Sequence, residues 1–175
     1  MSATPEFSRP IRVDQIGKMG ISNPIAADAV ERAALMQRFG LLALDRLEAD
    51  YSIGTENGFI VARGHVRASL AQPCVATGTA VPERIDTDFI LRFVVEGSDV
   101  ADDSDELELD AQDCDTIGYD GQIIDMGEAM AETVALAMTP YPRAADADAV
   151  LREAGVLSEE QASPFAALLA LKDKE

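Results

Sequence analysis

Between Arg92 and Arg143 the chain places fourteen carboxylates and no Lys, Arg or His. The densest part holds Glu96, Asp99, Asp102, Asp103, Asp105, Glu106, Glu108 and Asp110. Carboxylates this close repel one another and repel phosphate. They attract cationic protein, hold divalent cations weakly, or keep a protein dissolved. Two smaller groups also carry chemistry. Arg63, His65 and Arg67 alternate along one segment, and there are two cysteines, Cys74 and Cys114.

Metal chemistry finds little support in these residues. Zinc takes four Cys or His ligands, or three with a water, and the chain holds three such residues in all. Asp113, Asp115 and Gly118 fit the first, third and sixth places of an EF-hand loop, but Ile117 and Ile124 stand where an oxygen ligand and a bidentate Glu belong. Neither a phosphate loop, a dinucleotide glycine motif nor a G-x-S-x-G motif is present. His65 is the only histidine and reads as a surface strand residue. Its row can hold an anion or RNA phosphate, or pair across strands with Asp86 and Asp88. The pairing is the expectation. Cys74 has no basic neighbour in sequence and reads as a packed thiol. No cofactor and no metal site are expected.

The net charge is −18 and the hydrophobic fraction 47%, without a single Trp. The core must therefore rest on Leu, Ile, Val, Met and Ala. Nonspecific nucleic-acid affinity comes from Lys and Arg neutralising phosphates, so direct binding to RNA or DNA should be weak or absent. Encounter with a basic partner is favoured, and it weakens with salt. Two separated cysteines, no basic-then-apolar leader and no membrane-length apolar run predict a soluble cytoplasmic protein.

The elements that position these groups can be read from periodicity. Residues 8–16 predict a short edge strand. Asn23-Pro24 reads as the cap and first position of a helix over 24–39, with Ile25, Ala29, Ala33 and Met36 inward and Gly40 closing it. Leu47, Ala49, Tyr51 and Ile53, then Ile60, Ala62, Val66, Ala68 and Leu70, alternate with polar residues around Asn57-Gly58. That is a hairpin with one buried and one wet face. A third strand runs from Ile85 to Val95. Residues 96–115 read as acidic loop with a short strand at Leu107 and Leu109, because few apolar groups are there to offset ordering entropy. One more short strand falls within 117–124. Asp125 and Glu128 predict a capping box for a helix over 126–139, with Met126, Ala129, Met130, Thr133, Val134 and Ala137 inward. Pro140 and Pro142 stop it. A short helix over 147–154 ends at Gly155, and Phe165, Leu168 and Leu169 form an apolar docking segment.

Three stretches together resemble a known family: GHVRASLAQPCVATGTAVPERIDTDFILRF (64–93), GQIIDMGEAMAETVALAMTPYPR (121–143) and SPFAALLALK (163–172). With the acidic insert between the first two, their order is similar to the YceD-like proteins, the large ribosomal RNA subunit accumulation family, in its alphaproteobacterial form. The resemblance implies a role in synthesis, processing or stability of large-subunit ribosomal RNA, with no catalytic residues to carry over. Many members have a CxxC near the position of Cys74. Here Val75, Ala76 and Thr77 follow, so a role tied to that pair does not transfer.

The expected fold is α+β: an antiparallel sheet of roughly four to six strands, with barrel-like curl, packed on one side by two main helices. Residues 1–143 form one domain with the insert at 96–115, and 144–175 a peripheral helical tail. The expected function is that of a non-enzymatic ribosome-biogenesis factor. It binds a basic ribosomal or processing protein through the carboxylates named above and through Phe165, Leu168 and Leu169. The alternatives are RNA binding by Arg63, His65 and Arg67, and a divalent-metal hydrolase.

Overall fold

The computed structural model describes residues 5–17, 21–97 and 115–156. Along the chain they form β1 (Pro10–Arg12), a 3-10 turn (Val13–Gln15), β2 (Ile21–Ala26), α1 (Ala29–Phe39), β3 (Ala43–Glu56), β4 (Phe59–Pro73) and β5 (Ala80–Val95). After the acidic stretch come β6 (Asp115–Tyr119), β7 (Ile123–Asp125), α2 (Met126–Ala137) and α3 (Ala147–Glu153). The class is α+β.

Five strands make one sheet in the order β2-β3-β4-β5-β6, while β1 and β7 pair separately. The sheet is open, with β2 and β6 at its ends, so the expected barrel-like curl does not describe it. It is also not wholly antiparallel. β6 runs parallel to β5, with Phe93 beside Ile117 and Val95 beside Tyr119. Alternation tells which residues face inward and says nothing of strand direction, which is why the antiparallel expectation failed here.

The β3–β4 hairpin follows the sequence reading closely. Its ladder closes at Glu56 and Phe59 around Asn57-Gly58. Both turn residues are left-handed, with φ of 50° and 86°, as a two-residue type I′ turn requires. All nine predicted inward residues of the two strands are buried. Gly64 shares their face for a separate reason. A Cβ there would lie 2.2 Å from the Asp50 carbonyl oxygen and 2.9 Å from the Phe89 ring. The opposite face is not wet throughout, because Val61 is buried as well.

α1 begins at Ala29, not at Pro24. Asn23 and Pro24 lie in β2, opposite Tyr51 and Asp50. β2 is an end strand, where proline's missing donor need cost no ladder bond. The working cap is Asp28. It accepts from the amides of Val30 (2.7 Å) and Glu31 (2.9 Å), and the Glu31 carboxylate accepts from the Asp28 amide (2.8 Å). This is a complete capping box. Gly40 closes the helix with φ 65°, as expected. The buried face is also rotated from the expected one. Leu35 is fully buried, with Met36 and Phe39 packed beside the core, while Ala29 and Ala33 are exposed and Ile25 belongs to β2.

α2 begins where predicted. Asp125 accepts from the amides of Gly127 (3.0 Å) and Glu128 (3.2 Å). The return half of the expected box does not form, because Glu128 makes a two-pronged ion pair with Arg38 at 2.9 and 2.7 Å. Asp125 also accepts from the Arg9 amide (2.7 Å) and the Ser8 hydroxyl, which fastens the segment just before β1 to the helix. Met126, Ala129, Met130 and Val134 are buried and Ala137 is exposed.

The chain divides into two compact units, Met1–Ala71 with Pro82–Met138, and Gln72–Val81 with Thr139–Glu175. In the first, inward residues of β3, β4 and β5 share a core with Phe7, Ile11, Leu35, Ile124, Met126 and Met130. In the second, Cys74 to Thr79 form a turn closed by Gly78 N–H to Cys74 O (2.8 Å), and Val75 N–H donates to Pro142 O (2.9 Å). α3 is followed by Gly155 at φ 79°, as expected. No helix among the described residues is long and apolar enough to cross a membrane.

Candidate functional site

The two-residue period of β4 places Arg63, His65 and Arg67 on the face opposite the core. Each one meets carboxylates. His65 Nδ1 lies 2.7 Å from Asp88 Oδ1, and its Nε2 meets Asp86 Oδ1. The expected cross-strand pairing therefore forms at the histidine. Arg67 turns the other way, donating to Asp50 (2.9 Å) and Glu48 (3.3 Å). Arg63 donates to Glu56, and Arg46 shares Glu48.

The electrostatics follow from these contacts. Hydrogen bonds first to Asp88 and then to Asp86 raise the His65 pKa against the opposing effect of desolvation. Arg46, and less strongly Arg67, hold Glu48 below the usual carboxylate range. This face is a lattice of matched charges. The two aspartates sit on opposite nitrogens of the one ring. Among the described residues no three His, Cys, Asp or Glu side chains are grouped to hold a metal ion.

Cys74 lies in the second unit and is 3% exposed, which agrees with the packed thiol read from sequence. Its surroundings were not legible there. The Ala144 amide, seventy residues away, donates to Sγ at 3.3 Å. That bond first, then the Thr77 hydroxyl, lowers the thiol to about 7, and the amides of Ala76 and Thr77 add to the effect. These donors outweigh the burial.

An open cleft of about 340 Å³ is lined by Arg12, Val13, Asp14, Gly121, Gln122 and Ile123. Sequence reasoning passed over it. The single short strand expected within 117–124 is in fact two, β6 and β7, with Asp120-Gly121 turning between them; the Asp120 carboxylate accepts from the amides of Gln122 (2.7 Å) and Ile123 (2.8 Å). The guanidinium at its rim is held by Asp14, at 3.0 and 2.7 Å.

Of the acidic residues expected to meet a partner, Glu96 is described. It is exposed, and its amide donates to Tyr119 O at 2.9 Å. Asp99, Asp102, Asp103, Asp105, Glu106, Glu108 and Asp110 lie outside the described residues, as do the Leu107–Leu109 strand, Cys114, Phe165, Leu168 and Leu169.

No curated protein and no solved structure matches the chain. A family model described as Large ribosomal RNA subunit accumulation protein YceD matches residues 62–172. The matched span begins within β4 and takes in the ion-paired row, the Cys74 turn and the whole acidic stretch. It covers more than half of the sequence, and the chain belongs to the YceD family.

Proposed function

We propose that the protein supports accumulation of large-subunit ribosomal RNA without catalysis, by holding a basic ribosomal or processing protein through its acidic stretch. The family supplies the link to ribosomal RNA. The reading of the partner rests on charge. A net charge of −18 opposes approach to phosphate. The cationic row on β4 is engaged with Glu48, Asp50, Glu56, Asp86 and Asp88. RNA would have to displace those carboxylates before it met Arg63, His65 or Arg67. Many Asp and Glu facing Lys and Arg give fast, salt-sensitive association.

The test is affinity capture from cells at low and at high salt. It compares the natural protein with a variant carrying Asn and Gln for the Asp and Glu between Glu96 and Asp110. The expected result is a basic ribosomal or processing protein captured at low salt, and lost both at high salt and in the variant. Unchanged capture by the variant overturns the reading. So does tight binding of bare ribosomal RNA at physiological salt that disappears in Arg63→Ala with Arg67→Ala.

A further inference from the structure

Both ring nitrogens of His65 face carboxylate oxygens, Asp88 Oδ1 at 2.7 Å from Nδ1 and Asp86 Oδ1 at Nε2. A neutral imidazole has one N–H and one lone pair. With a single proton, one of its nitrogens would set a lone pair against a carboxylate. The doubly protonated ring satisfies both contacts at once. Other charges reach this point from three strands. Asp50 stands directly across on β3, with Glu48 and Arg46 farther along. Arg63 and Arg67 flank the ring on β4 but turn to Glu56 and to Asp50 and Glu48. Arg84 shares the outward face of β5 with Asp86 and Asp88 by alternation. The aspartate side chains are 70% and 90% exposed, and that of the histidine 30%.

We propose that His65, Asp86 and Asp88 form a proton-dependent clasp between β4 and β5, closed while the imidazole carries both protons and half-open once it loses one. Opening adds one negative charge to the outer face and releases one carboxylate to meet an external cation. The clasp is independent of the role proposed for the acidic stretch. Because the folded state holds the proton more tightly, the clasp stabilises fully below the unfolded histidine value of about 6.5. Its contribution is lost as pH rises through the raised folded value.

The chain has one histidine, so its ring signals in an NMR titration of the full protein need no assignment by mutation. The expected midpoint lies above ~6.5, with both ring nitrogens protonated below it. Asp86→Asn with Asp88→Asn should return the midpoint to the ordinary range or lower. A midpoint at or below ~6.5 in the natural protein, or one unmoved in the double variant, overturns the proposal. Thermal melts give a second readout. The advantage of the natural protein over His65→Gln should shrink from mildly acidic to alkaline pH, and a pH-independent difference also overturns it.

Discussion

A methyl group at Gly64 would meet the Asp50 carbonyl oxygen at 2.2 Å, the Tyr51 Cα at 2.8 Å and the Phe89 ring at 2.9 Å. Two of these three neighbours are backbone of the adjacent strand, which cannot withdraw without loosening the ladder. Gly64→Ala is expected to cost about 3 kcal/mol, read as a lowered urea midpoint. Gly17→Ala, with nothing within 4 Å of the added carbon, should leave the midpoint nearly unchanged. Cys74 offers a pH-dependent counterpart. The thiol ionises near 7 when folded and near ~8.5 when unfolded. A depressed value stabilises the folded state above the unfolded pKa, and that benefit is lost as pH falls through the folded one. The natural protein should therefore gain thermal stability over Cys74→Ala as pH rises across this window. A flat difference in melting temperature between the two would contradict the donor arrangement around Sγ.

At the level of elements, Asp125 joins more parts than a helix cap ordinarily does. It serves the Gly127 and Glu128 amides together with the Arg9 amide and the Ser8 hydroxyl. Asp125→Ala should cost about 2 kcal/mol, and amide exchange at Gly127 and Glu128 should quicken. The β3–β4 hairpin was legible because alternation and Asn57-Gly58 are local signals that agree. The clasp at His65 was legible in outline, since Asp86 and Asp88 repeat at the spacing of a facing strand. α1 was misplaced because Asn23-Pro24 imitates a cap, while the true box, Asp28 with Glu31, stood a few residues on. The difference lies in β2 being a sheet edge, which no local pattern discloses. The direction of β6 and the amide reaching Cys74 from Ala144 depend on distant parts of the chain, so no window of sequence contains them.

For the molecule as a whole, charge of one sign is the governing quantity. At −18 the folded state carries self-repulsion that ions screen. Raising salt from low ionic strength should therefore raise the melting temperature, even though exposed pairs such as Arg12–Asp14 weaken slightly. The same titration should release a basic partner. Opposite responses to one variable separate folding from association, and a melting temperature that falls with salt would count against this balance of forces.

The parallel pairing of β6 with β5 has a consequence for anyone editing the acidic stretch. Asp115 sits beside Leu91, so β6 starts four residues back along β5 from Val95, a return of about 13 Å. Neighbouring strands that run the same way cannot be joined by a tight turn; the chain needs on the order of a dozen residues to come round. The anionic stretch is therefore also needed for its length, which lets β6 enter in its proper sense. Its charge can be erased residue by residue, but excision would leave β6 no route to its place.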